Sequence, residues 1–176
     1  VRRLRPCEVT PDGWRRRRRC GPNELADAPT SVVVGNDGEQ RAIDAATFAD
    51  ESTVTREYTI RCATGQRTTA TWTGVPVTEL LDLVDASAET THFRIESDDG
   101  YAICVPVADA LDGVVAFERD GEQLRQTRPY ALRFLAGDID GERLVKGIHR
   151  IDLLSLPADA DPDRYETVTL DNPEYE

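Results

Sequence analysis

Apolar and polar residues alternate over short stretches along most of this chain, and the stretches are closed by Gly, Asp or Asn. A period of two puts every second side chain on one face of a sheet. Ser31-Val-Val-Val-Gly35 predicts a buried strand ending in a turn at Asn36-Asp-Gly38. Val54, Tyr58 and Ile60, set among Thr and Arg, predict a strand that runs to Cys62. Arg67 to Thr73 predicts the next, closed by Gly74, and His92–Glu96 and Tyr101–Val105 flank a turn at Asp98-Asp-Gly100. Val114–Glu118 and Gln123-Leu124 flank Asp120-Gly121, a pair favoured in tight hairpins because both residues tolerate positive φ. Tyr130–Leu135 predicts another strand, and Leu144–Leu156 one or two more.

The helical period of 3.6 is rarer. Asp44–Ala49 predicts a short helix with Asp44 as N-cap, and Val107–Leu111 another. Val75–Val84 predicts a helix capped by Thr78, with Val77, Leu80, Leu81 and Val84 on one face. Short helices between many short strands, without regular βαβ alternation, give an α+β class with mixed, largely antiparallel sheets. One domain is expected over residues 28–156. A basic segment, 1–27, is expected to be disordered, and an acidic, Pro-punctuated tail follows over 157–176.

Charge sharpens this picture. The net charge is −12, although the first 20 residues carry eight Arg against Glu8 and Asp12. Beyond them 13 basic residues meet 31 acidic ones, and Lys146 is the one Lys in the chain. Acidic excess with Arg in place of Lys resembles the proteins of salt-loving archaea, whose molar salt cuts the Debye length to about 3 Å. Such a surface excludes nucleic acid as a partner, since that binding rests on neutralised phosphates. No apolar run reaches the roughly 18 residues of a transmembrane helix. Arg15–Arg19 leads into Cys20-Gly-Pro-Asn-Glu-Leu-Ala-Asp27 rather than an apolar stretch, so no secretory signal is expected. Cys7, Cys20, Cys62 and Cys104 match no zinc spacing. A reducing, cytoplasmic location without a disulfide framework is the expectation.

Three stretches carry candidate chemistry, and none holds a hydrolase or nucleotide motif. In Tyr58–Arg67, Cys62 ends a strand before a Gly-containing turn, between Arg61 and Arg67. Positive charge favours the thiolate, the form that binds soft metals, and the competing reading is a small buried hydrophobe. Asp98-Asp-Gly-Tyr101 delivers an aromatic hydroxyl at the start of a strand. Gly141–Arg150 gathers Arg143, Lys146, His149 and Arg150, either a phosphate or anion site or a charged strand edge. His92 and the Asp98-Asp99 pair read as structural.

The order of these stretches resembles the oxidoreductase molybdopterin-binding domain of the sulfite oxidase family over about Ser31 to Leu156. Trp72-Thr-Gly-Val-Pro-Val-Thr-Glu-Leu-Leu81 is similar to the family's most specific segment. Cys62-Ala-Thr-Gly65, Asp99-Gly-Tyr101 through Pro106, Asp120-Gly-Glu-Gln-Leu124 and Lys146-Gly-Ile-His-Arg-Ile151 are similar to others. The resemblance implies that fold, a molybdenum–molybdopterin cofactor and oxygen-atom or two-electron transfer on a small oxyanion or oxide-type substrate. It implies Cys62 as the metal ligand, Tyr101 as a catalytic residue, and Arg143 and Lys146 as cofactor-binding ones; by charge, Arg61 joins Tyr101 as a catalytic candidate and Arg67 and His149 join the cofactor-binding set. Electrons would pass to a separate carrier. The competing implication is a degenerate member that keeps the fold, binds no metal and serves as a ligand-binding or interaction module. The chain departs from the family pattern at Gly147, where a Trp is usual, and at Gly137-Asp-Ile-Asp-Gly141, which brings carboxylates close to a phosphate site. No Asn/His/Arg-rich segment stands between Asn23 and Thr30.

Overall fold

The computed structural model describes residues 31–35, 40–43, 52–61, 65–137, 139 and 141–168. The expected turn at 36–38, the helix at 44–49, the basic segment, Cys62 and the end of the acidic tail lie outside the described residues.

Two five-stranded sheets pack on each other. The first has the order β2-β1-β10-β5-β6, built from β1 (Val32–Gly35), β2 (Gln40–Ile43), β5 (His92–Ser97), β6 (Ala102–Pro106) and β10 (Ile148–Leu154). Within it β1 and β10 run parallel and the other pairs antiparallel. The second sheet is antiparallel throughout. It runs β3 (Val54–Arg61), β4 (Arg67–Pro76), β7 (Val114–Arg119), with β8 (Glu122–Gln123) and β9 (Arg133–Leu135) both beside β7. The mixed, largely antiparallel α+β class is as the alternation predicts.

Burial follows the period of two. Val34, Phe93, Ile95, Ile103, Val105, Ile151 and Leu153 of the first sheet meet Val75, Val115 and Phe134 of the second. Val77 and Leu80 of helix α1 (Val77–Leu83) close that core. The far face of the second sheet buries a smaller cluster: Tyr58, Ile60, Ala70, Trp72, Ala116 and Leu135, covered by Leu124, Tyr130 and Leu144. Strand β7 is thus buried on both faces, Val115 toward one cluster and Val114 and Ala116 toward the other. That is why its sequence is apolar without alternation.

The structure corrects several local expectations. Gly74 does not close β4, which continues to Pro76. The pairing with β7 shifts register between Thr73 and Gly74, and Gly74 lies so close to the Val115 carbonyl that a Cβ has no room. The glycine therefore marks a bulge with a tight backbone approach, not a strand end. Thr78 does not cap α1: Pro76 occupies the cap position with φ −57° and no side-chain cap forms. The Val77 N–H donates instead to the Gly113 carbonyl at 3.0 Å. Leu124 begins a one-turn helix, α3 (Leu124–Thr127), after the short α2 (Val107–Ala110) that the pattern predicts. The Asp120-Gly121 hairpin takes the expected positive φ values, 52° and 81°. Among the described residues no helix is long and apolar enough to cross a membrane. Part of the acidic tail returns to the domain, as a 3-10 turn over Pro162–Tyr165 followed by a bridge between Thr167 and Ala102 of β6.

Candidate functional site

The alternation of β3 that buries Tyr58 and Ile60 carries the strand to Arg61, the last described residue before Cys62. Arg67 faces Arg61 in register at the start of β4, and both are exposed. A 3-10 turn, Gly141–Arg143, abuts this strand end. Gly141 sits against the Arg61 carbonyl so closely that no Cβ would fit. Beyond the turn, Leu144 and Val145 are buried and the chain runs beside β9. The Phe134 N–H donates to the Val145 carbonyl and the Gly147 N–H to the Leu132 carbonyl, each at 2.8 Å, and Lys146 bridges to Arg133.

The same segment then meets the second stretch. Gly147, at φ 67°, accepts the Asp98 N–H at 2.9 Å. A Cβ on Gly147 would lie 2.7 Å from an Asp98 carboxylate oxygen, which explains why this chain holds glycine there. From Asp98 the turn leads to half-buried Tyr101, whose N–H donates to the Asp99 carboxylate at 3.0 Å. The Tyr101 carbonyl accepts from the Ser97 N–H at 2.8 Å and the Ser97 hydroxyl at 3.2 Å. Segment 141–147 therefore touches both the end of β3 and the Asp98–Tyr101 turn. All three stretches singled out in the sequence meet there.

The cations of the third stretch do not act as one cluster. Arg143 forms a two-pronged ion pair with Glu166 and donates to the Cys104 carbonyl at 2.9 Å. Arg150 donates to Asp152 at 2.7 Å, which holds its pKa above the ordinary arginine value. His149 lies at an irregularity in β10 with Nε2 4.0 Å from Glu96. Its Nδ1 is buried without a hydrogen-bond partner among the described residues. Three of the four cations thus face carboxylates. Cys104 is a buried thiol whose pKa is pushed up by burial, with Glu166 adding to the rise and Arg143 opposing it. That favours the neutral thiol and a packing role.

Lys146 is joined to Arg133 by a backbone bridge. Its bridge partner Arg133 is only 8% exposed and holds its guanidinium 5.3 Å from the centre of the Trp72 ring. Arg119 of β7 approaches the same ring, also at 5.3 Å, and lies 3.4 Å from Asp120. Trp72 is 1% exposed, and its indole N–H is buried with no acceptor among the described residues. A buried donor left unsatisfied costs about 1–3 kcal/mol. Two guanidiniums stand over the Trp72 ring, and Lys146 is the backbone bridge partner of the residue that carries one of them. Reading the residues in isolation missed Arg133, Trp72 and Arg119. The available signal was Arg133 itself, one charge inside the apolar run Tyr130–Ala136.

The two ends lie apart along β4, and the alternation of the strand turns Arg67 to its exposed face and Trp72 to its buried one. Trp72 is five residues along β4 from Arg67, roughly 17 Å at the usual strand rise. A groove of about 360 Å³ follows β3, lined by Arg56, Tyr58, Ile60, Asp112, Gly137 and Leu144. Tyr58 donates its hydroxyl to the Asp112 carbonyl at 3.0 Å, and burial pushes its pKa up. Among the described residues no set of His, Cys, Asp and Glu gathers as a metal site.

Residues 30–161 match the model of the family described as the oxidoreductase molybdopterin binding domain. No curated protein matches the chain. Among solved structures, the sulfane dehydrogenase SoxCD from Paracoccus pantotrophus is similar with a TM-score of 0.65 at 16% identity, covering 74% of this chain and 39% of that one. The chain spans about two fifths of the length of that SoxCD chain, and the likeness is one of fold.

Proposed function

The chain belongs to the oxidoreductase molybdopterin-binding domain family, and from that premise we propose that it is a molybdopterin-dependent oxidoreductase acting on a small oxyanion or oxide-type substrate. The observation that carries the reading is segment 141–147. It abuts Arg61 at one end and the Asp98–Tyr101 turn at the other, with Lys146 beside Arg133 between them.

When bound, the molybdenum–molybdopterin group supplies oxygen-atom and two-electron transfer, and the protein supplies its orientation and electrostatics. In this reading Cys62 gives the metal a thiolate ligand. Arg61 and Arg67 favour that thiolate and draw an oxyanion toward the strand end. Tyr101 offers a hydroxyl to the bound oxyanion. Lys146 and Arg133 hold the cofactor's phosphate, with the Trp72 indole N–H as a further donor. His149 is a candidate donor through Nδ1. Arg143, whose guanidinium is taken by Glu166, has a different part described below. Electrons would pass to a separate carrier.

The second reading, a family member that keeps the fold and binds no metal, is favoured by the carboxylates facing Arg143, His149 and Arg150. Metal analysis of protein purified from molybdenum-replete cells separates the two. The enzyme reading expects about one molybdenum per chain, lost in Cys62→Ser because a hydroxyl is a poor soft-metal ligand. Molybdenum absent from the unaltered protein would leave the fold and remove the activity.

A further inference from the structure

The family match ends at residue 161, yet the chain continues along the first sheet. Residues 162–167 form a strap over the edge strand β6. Thr167 and Ala102 exchange both backbone hydrogen bonds, at 2.8 and 2.9 Å. Arg94 donates to the Tyr165 carbonyl at 2.9 Å. Between these ties Glu166 turns inward with its side chain 8% exposed, accepts the Cys104 N–H at 2.9 Å and pairs with Arg143.

Arg143 is the last residue of the 3-10 turn that begins at Gly141, and Gly141 rests on the Arg61 carbonyl. A continuous path therefore leads from the strap to the candidate site. It passes through Glu166, the Arg143 guanidinium and one tight turn to the backbone end of β3. The path also joins the two sheets, because Arg143 reaches from the turn beside β3 to the Cys104 carbonyl on β6. A buried carboxylate is stable in such a place only with its cation present, so the pair fixes where the turn sits.

We propose that the strap at 162–167 is a positioning element, in which Glu166, acting through Arg143, holds the Gly141–Arg143 turn against the end of β3 and so sets the wall of the candidate site. Arg143 is then an anchor of that wall rather than a grip on phosphate. The consequence for cofactor retention rests on the molybdopterin reading. The mechanical coupling does not.

Hydrogen exchange on the full chain tests the coupling, comparing the unaltered protein with Glu166→Gln and with Ile95→Val in the core. Losing a charge-assisted pair in Glu166→Gln should raise exchange over 54–61 and 141–147 by about tenfold, with β1 and β5 unchanged. Ile95→Val should lower the melting temperature without raising exchange selectively at 54–61. Loaded Glu166→Gln should release molybdenum about tenfold faster than the unaltered protein, and Ile95→Val should not. Exchange that rises only over 100–106 and 162–168 would overturn the proposal. So would an equal rise at 54–61 in Ile95→Val. Where Glu166→Gln does not fold, Glu166→Asp keeps the charge but shortens its reach, and about a threefold rise at 54–61 is expected, its absence counting against the proposal. If the chain takes up no molybdenum, the enzyme reading fails while the exchange result still decides the strap.

Discussion

Two faces of this molecule carry arginine, and they use it differently. On the first sheet Arg94 pairs with Glu96 and lies 3.5 Å from Asp152, Arg150 pairs with Asp152, and His149 lies near Glu96. Arg94 and Asp152 are cross-strand partners in register across β5 and β10, while Arg94–Glu96 and Arg150–Asp152 are neighbours on one face of a single strand, so the charges cancel along a ladder. On the second sheet Arg119, which also lies 3.4 Å from Asp120, and Arg133 turn their guanidiniums to Trp72, and Lys146 stands beside Arg133. The lesson is that a local density of basic residues does not locate an anion site. What the cations face locates it.

Substitutions should separate the two faces, starting with the most severe. Arg133→Ala removes a buried side chain that packs on Trp72 and leaves a void, so a loss of about 3 kcal/mol in denaturant melts is expected. Molybdenum content should fall with it. Arg133→Lys should not restore that content, since a point charge cannot reproduce a stacked planar fork. Trp72→Phe removes the unsatisfied indole donor along with some volume. A cost of about 1 kcal/mol is expected in protein without cofactor and a larger one in loaded protein, read as the difference between the two melts. Equal costs in the two forms would argue that the donor serves no anion.

Raising the pH distinguishes the faces as well. Burial raises the pKa of Tyr58, with Asp112 adding to the rise and Arg56 opposing it. The folded chain therefore keeps this proton longer than the unfolded chain does. The stability this confers is complete below about pH 10 and is lost as the pH climbs through the folded value. Tyr58→Phe should flatten the alkaline limb of the stability curve, whereas Arg150→Gln should not. The smallest effect belongs to the ladder. Asp152→Asn should cost about 0.5 kcal/mol or less, fade at high salt and leave molybdenum content unchanged. A large loss of molybdenum there would break the contrast.

The sequence shows the strands of both sheets well, because alternation is a local property and each face has one solvent. It is silent where long-range contact overrides local pattern. Gly74 reads as a stop and is a bulge, because the Val115 carbonyl approaches from a strand forty residues away in the sequence. Leu124 reads as the end of a hairpin and turns into a helix that covers Tyr58 and Trp72. For the site, spacing picks out the stretches around Arg61, Tyr101 and Lys146. It gives no account of which basic residues are already matched, since Glu96, Asp152 and Glu166 lie 23 to 58 positions from His149, Arg94 and Arg143 or, for Asp152, two from Arg150. Glu166 in particular reads as one more surface acid in an acidic tail.

The closeness of Gly147 to Asp98 has a consequence for how this chain can change over time. A side chain at 147 meets the Asp98 carboxylate, which can swing aside, but it must also take a left-handed φ of 67°, which no change at residue 98 relieves. A bulky residue at 147 therefore carries the backbone cost in either order of substitution, and residue 98 decides only the smaller steric part.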